Sequence, residues 1–266
     1  QMCIRDRPLS DYQAQRRGGR GKSATSMKDD DIIQHLVVAS NHATVLCFTN
    51  VGKVYRLKVF EVPQASRGAK GRPMVNLLPL DANETITAIL PLTEFLENHY
   101  VFMATASGTV KRVELEQFAN IRANGLRAIE LNEEDTLIGV AITDGKQQIM
   151  LFSNEGKAIR FAETDVRAMG RTAKGVRGMR VALAATLDSE DADVENDDSD
   201  ESDDSDSNVV SRIVSLVVVP ETGEVLCASA NGYGKRTPVN DFPTKKRGGK
   251  GVIAIKTSER NGELVG

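Results

Sequence analysis

Residues Gln15–Lys22 read QRRGGRGK, with Arg16, Arg17, Arg20 and Lys22 interleaved among Gly18, Gly19 and Gly21 and no acid between them. This is chemistry for holding phosphate. Guanidinium forks grip phosphate oxygens two at a time, and a backbone without Cβ atoms lets peptide N–H groups approach the same oxygens. Taken alone, the octapeptide equally fits an RG-type linker with general nucleic-acid affinity. No set of residues for covalent chemistry accompanies it. His35, His42 and His99 lack metal-ligand spacing to cysteines or paired carboxylates, and no Walker-type loop is present. Cys3, Cys47 and Cys227 form no CxxC pair, which argues against a disulfide framework and for a reduced compartment. Cys47 and Cys227 lie inside apolar runs and are expected as core thiols.

Charge along the 266 residues is strongly segregated. The run 188–206 (DSEDADVENDDSDESDDSD) holds 12 acids and no base, and the rest of the chain sets 34 Lys and Arg against 25 acids. A basic body with an acidic insert implies a polyanionic partner and an internal competitor for it, or else an inert solvated loop. No apolar run reaches the roughly 20 residues of a membrane helix. Residues 1–7 (QMCIRDR) carry no secretory signal and read as a non-native or truncation scar. A cytoplasmic protein with no membrane partner is expected.

The elements that must position these cations emerge from an internal repeat. Segments 46–59, 102–115, 150–163 and 226–239 align as strand, tight turn and strand. They share a hydroxyl residue (Thr49, Thr105, Ser153, Ser229), a turn glycine three residues later (Gly52, Gly108, Gly156, Gly232) and an arginine four beyond it (Arg56, Arg112, Arg160, Arg236). Apolar alternation around a glycine turn predicts a β-hairpin. A second glycine follows at 17 to 19 residues, closing R-x-x-K-G in 67–71, 171–175 and 247–251, whereas 121–125 lacks the cations. An apolar strand is expected after each, at 74–80, 126–131, 176–181 and 252–256, and then a fourth strand such as 86–92, 136–143 or 213–220. Units of about 50 residues with four strands predict stacked propeller blades, since one blade cannot bury both of its faces. The blades fall at roughly 36–92, 100–143, 148–220 (with an insert at 188–208) and 224–266, preceded by a linker, 8–28, that carries the octapeptide. An apolar face left without a neighbouring blade would promote association.

The octapeptide and the blades together resemble the C-terminal domain of DNA gyrase A subunits, a family of bacterial type IIA topoisomerases. QRRGGRGK matches the family's gyrase A box at every position, and 67–80, 166–180 and 231–239 match its blades. The resemblance spans about residues 8–266 and implies an all-β fold, a β-pinwheel of six blades in the family, about four of them here. It implies a DNA-wrapping domain whose positive crossover lets ATP-dependent strand passage introduce negative supercoils. Gln15, Arg16, Arg17, Gly18, Gly19, Arg20, Gly21 and Lys22 would then be the wrapping box. Arg67, Lys70, Arg72, Arg171, Lys174, Arg177, Lys245, Lys246, Arg247 and Lys250, on loops at equivalent blade positions, would meet DNA on the rim. Arg56, Arg112, Arg160 and Arg236 remain open between rim contact and a role in strand pairing or in holding turn carbonyls.

The resemblance further implies double-stranded DNA as partner, and a gyrase B subunit reached through the rest of the A subunit in an A2B2 holoenzyme. The chain would lie with the nucleoid and carry no cofactor, with ATP and Mg2+ acting elsewhere. The breakage–reunion domain of the family is not among these residues. Tyr12, Tyr55, Tyr100 and Tyr233 sit in linker or strand contexts, so the expected role is non-catalytic by itself. Two alternatives stand beside this one: the corresponding domain of topoisomerase IV, whose box is degenerate or missing, and a propeller that binds proteins.

Overall fold

Four hairpins carry the fold, and each turns on the repeated glycine. β2 (Thr44–Thr49) pairs antiparallel with β3 (Lys53–Lys58), β6 (Tyr100–Thr105) with β7 (Thr109–Glu114), β10 (Gln148–Ser153) with β11 (Lys157–Ala162), and β14 (Glu224–Ala228) with β15 (Gly234–Pro238). The computed structural model describes residues 3–12, 14–21, 32–66, 69, 71–182 and 210–266. Lys22, Arg67, Lys70 and the acidic run 188–206 lie outside the described residues.

Each of the first three hairpins gains a long strand from its own repeat. β5 (Ile86–Leu92), β9 (Leu137–Thr143) and β13 (Ile213–Val219) pair with β2, β6 and β10. The register shifts at the same place in all three, between Phe48 and Thr49, Ala104 and Thr105, and Phe152 and Ser153. Such a bulge bends the strand and adds twist, as propeller blades require.

The fourth strand comes from the following repeat. β8 (Leu126–Arg127), β12 (Val176–Arg177) and β16 (Val252–Ile253) join β3, β7 and β11, giving sheets ordered β5-β2-β3-β8, β9-β6-β7-β12 and β13-β10-β11-β16. β4 (Arg72–Pro73) instead pairs with β1 (Cys3–Ile4). The strands expected over 126–131, 176–181 and 252–256 are thus reduced to two paired residues at their start, and the one expected over 74–80 is no strand: pairing falls just before it and Met74–Asn76 forms a 3-10 turn. The cause is hydrogen bonding. Past its second residue the chain bends over the preceding hairpin, where Ala128 and Ile129 N–H share the Gly52 carbonyl (2.8 and 3.3 Å). Gly178 and Met179 do the same to Gly108, and Ala254 and Ile255 to Gly156. A further bond, Leu137 N–H to Asn50 O, Ile213 to Ala106 or Leu264 to Asn154, completes each junction.

The core lies between blades, which is why β2 is buried along its whole length instead of alternating. Leu46, Phe48, Val54 and Ala88 of the first blade pack on Val101, Met103, Val113 and Phe118 of the second. One aromatic pair bridges each junction: Phe48–Phe118 (centroids 5.8 Å), Phe102–Phe161 (6.3 Å) and Phe152–Phe242 (6.4 Å). Each contributes roughly 1 kcal/mol beyond the area it buries. The fourth hairpin is covered on one face only. Leu226 is 66 % exposed, while its repeat equivalents Leu46, Phe102 and Met150 are fully buried. No helix of the described residues is long and apolar enough to cross a membrane.

Candidate nucleic-acid interface

Each hairpin is followed by a 3-10 turn, Val59–Glu61, Leu115–Phe118, Glu163–Asp165 or Val239–Asp241. The chain then runs parallel to the second hairpin strand of the preceding blade. Arg112 bridges Ala168 and Arg160 bridges Thr244, with Met169 N–H on Arg112 O (2.9 Å) and Lys245 N–H on Arg160 O (2.8 Å). This track lays the loops 171–175 and 247–251 along the outer edges of the sheets. Gly175 and Gly251 end those loops at φ +104 and +83, and a Cβ on Gly251 would stand 2.4 Å from the Ala158 carbonyl oxygen. Only glycine fits so close to a neighbouring backbone.

Along that edge Arg72, Lys174, Arg177, Lys245, Lys246 and Lys250 are exposed and Arg171 is half-buried. Arg247 is engaged differently, its Nε donating to Asp165 O (3.0 Å) and its Nη1 to Arg177 O (2.9 Å), so it ties two repeats together. Arg127 and Arg180 also face solvent on the same edge and are new to the set. Arg127 holds in β8 the place of Arg177 in β12, a match visible in the sequence once the repeats are aligned on their second glycine.

Three of the four hairpin arginines reach across to the next repeat, Arg56 from an exposed position. Arg56 Nη1 donates to Ala119 O (3.2 Å), and Arg160 Nη1 to Val239 O (3.1 Å) and Phe242 O (3.3 Å), in each case a carbonyl beside the next repeat's 3-10 turn. Arg112 lies 3.9 Å from the buried Glu163 carboxylate and over the Tyr100 ring (4.4 Å). Glu163 in turn accepts from Thr143 Oγ1 and Gln147 N–H, both at 2.6 Å. Three of the four therefore clamp adjacent blades, whereas Arg236 pairs with Glu224 (2.8 Å) across its own exposed hairpin.

The box is the same loop again. A 3-10 turn, Leu9–Asp11, precedes Arg17 by the eight residues that separate Glu163 from Arg171 and Val239 from Arg247. Gly18 and Gly21 take φ +85 and +71, as Gly248 and Gly251 take +89 and +83. Gly19 N–H closes a turn on Arg16 O (3.0 Å), and residues 14–21 are all exposed. Acidic residues also recur at fixed places in the repeats. Asp81, Glu133, Glu134, Asp135 and Glu259 follow the bend over the hairpins, and Glu61, Glu116, Asp165 and Asp241 lie in the 3-10 turns. Among the described residues no group of three or more His, Cys, Asp or Glu could hold a metal ion.

The profile of a family described as "DNA gyrase C-terminal domain, beta-propeller" matches residues 8–40, 43–93, 99–144, 147–192 and 223–266. The chain belongs to the DNA gyrase C-terminal domain family. Its first matched segment contains the box, in line with the repeated loop. The chain is 53 % identical over 264 residues to the DNA gyrase A subunit of Haemophilus influenzae, covering 98 % of itself and 30 % of that relative. It is 50 % identical over 266 residues to the DNA gyrase A subunit of Escherichia coli, 100 % of itself and 27 % of the relative. The chain thus spans less than a third of these gyrase subunits. Two solved structures resemble its fold at 25 % identity. A DNA gyrase A C-terminal domain has a TM-score of 0.69, covering 96 % of this chain and 75 % of its own. A DNA topoisomerase IV C-terminal domain has 0.70, covering 91 % and 67 %. Backbone geometry alone does not separate gyrase from topoisomerase IV, whereas both sequence relatives named above are DNA gyrase A subunits.

Proposed function

We propose that this domain binds duplex DNA along its outer rim and wraps it with positive handedness, as the C-terminal part of a gyrase A subunit. The observation that carries this reading is the recurrence of one cationic loop: 171–175 and 247–251 lie along the edges of the second and third blades, and the box repeats their spacing and glycine conformations. Cations dispersed on a curved edge suit a bent duplex. Many weak phosphate contacts offset a bending cost on the order of several kcal/mol per site and carry little sequence preference. Arg16, Arg17 and Arg20 of the box would set the path by which the wrapped duplex closes on itself.

In the intact enzyme this domain acts with a gyrase B subunit in an A2B2 assembly, in the cytoplasm with the nucleoid. ATP, Mg2+ and the DNA-cleaving residues work elsewhere, and the domain is non-catalytic alone. The test is ligation of nicked circular DNA with increasing amounts of full-length protein. A positive shift in linking number, lost when Arg16, Arg17 and Arg20 are together replaced by Ala while plain binding persists, is the expected result. Binding without any such shift overturns the wrapping role and leaves behaviour of the topoisomerase IV kind.

A further inference from the structure

Lys111 is the one lysine among the fully buried side chains of the described residues, and neither the box nor the rim explains it. It stands on β7 three residues after the turn glycine, opposite Met103 of β6. Its Nζ donates to Ala128 O (2.8 Å), where the chain bends over the hairpin of the first blade, and to Arg171 O in the rim loop of the following repeat. A single amine thus holds the carbonyl of a residue whose side chain belongs to the phosphate-binding belt. The corresponding position is Tyr55 in the first repeat and Ile159 in the third. In the fourth, Lys235 also donates to its own repeat's equivalent carbonyl, Ala254 O (3.2 Å), but is exposed.

The charged groups that face Lys111 are Arg171 from the loop and Glu130 from the segment after β8. Burial, then the Arg171 charge, lowers its pKa from the usual 10.5 to about 8, while Glu130 acts the other way. Two carbonyl acceptors also match the two hydrogens of a neutral amine, whereas the third hydrogen of an ammonium gains no partner from them. A phosphate on Arg171 would cancel the repulsion that disfavours the ammonium.

We propose that Lys111 is a positioning residue that couples DNA engagement by the 171–175 loop to uptake of a proton. The inference rests on the rim-binding reading above. Phosphate at Arg171 favours protonated Lys111, so the bound state holds the proton to higher pH than the free state. Affinity from this linkage is complete below about pH 8 and is lost as pH rises through the bound-state pKa. A bound-state pKa one unit higher weakens binding about fivefold between pH 7 and 9.

The experiment is calorimetric titration of the full-length protein with a duplex long enough to follow the rim, at pH 8, in two buffers of different ionisation enthalpy. Wild type is expected to take up about half a proton per domain through this site. Lys111→Arg, which stays charged, is expected to bind without that uptake. Should the larger side chain fail to fold, Arg171→Gln provides the second variant. It removes the repulsive partner and also eliminates the uptake, while the Lys111 ε-carbon resonance titrates at higher pH than in wild type. Uptake unchanged in both variants, or absent from wild type although DNA binds, overturns the proposal and leaves the rim reading intact. Failure of wild type to bind DNA at low salt overturns both.

Discussion

The Arg160 guanidinium crosses from β11 to the next repeat and donates to the Val239 carbonyl at 3.1 Å, so a sequence-conspicuous cation is used up inside a blade junction. Arg56 makes the same crossing to Ala119. These two arginines therefore join neighbouring blades, whereas Arg236 pairs within its own hairpin.

Replacing Arg160 by Ala should leave the Val239 and Phe242 carbonyls without this charged donor, at a cost of about 1.5–3 kcal/mol. Urea unfolding reads the loss. The salt dependence of DNA binding should be unchanged at matched folded fraction, and a shallower slope would return Arg160 to the rim.

Two turn glycines should respond very differently to alanine. A Cβ on Gly156 would sit 2.1 Å from the Ile255 carbonyl oxygen, at φ +78, whereas Gly232 at φ +80 meets nothing within 4 Å. Gly232→Ala is expected to cost only the left-handed penalty, about 1–2 kcal/mol. Gly156→Ala must also part the third blade from the fourth and should cost visibly more in the same unfolding experiment.

The rim cations should divide by function. Replacing Lys174, Lys246 and Lys250 by Ala should lower the slope of log affinity against log salt by about 0.9 for each phosphate no longer neutralised, with stability preserved. Arg247→Ala should instead destabilise the domain, since that guanidinium holds the Asp165 and Arg177 carbonyls. Equal effects of all four on the salt slope would refute the division.

Deleting residues 188–206 should tighten DNA binding at moderate salt, because 12 acids would no longer compete for the belt. The deletion is sterically mild. Ser211 N–H bonds Ala182 O at 2.8 Å, so the ends flanking the 183–209 segment already meet. Identical binding isotherms with and without the run would make it an inert loop.

Lys111 also predicts a pH dependence of stability. Its native pKa near 8 lies below the unfolded value of 10.5, so between those values the unfolded chain binds more protons than the native one. Stability from this group is lowest below pH 8 and should rise toward pH 10.5 by about 3 kcal/mol. The difference between wild type and Lys111→Met, measured by urea unfolding at pH 7, 8, 9 and 10, isolates the contribution, and a constant difference would disprove it.

The sequence by itself determined the repeat, the hairpin turns and where the cations recur. Gly52, Gly108, Gly156 and Gly232 mark turns because a positive φ and the spacing of flanking apolar residues are local properties. The R-x-x-K-G loops and the box are likewise legible as clusters of cations among glycines from residue type alone. Partnership between repeats was not legible. Whether Leu126–Arg127 adds to its own hairpin or to the preceding one depends on which carbonyl its neighbours Ala128 and Ile129 can reach, and that is Gly52, more than 70 residues away. The fate of each arginine was equally hidden. Arg160, Arg177 and Arg247 are the same side chain, and only packing decides that the first clamps a blade, the second faces solvent and the third bridges two loops. A guanidinium goes to whatever acceptor the fold brings within about 3 Å, and blade stacking brings the acceptors.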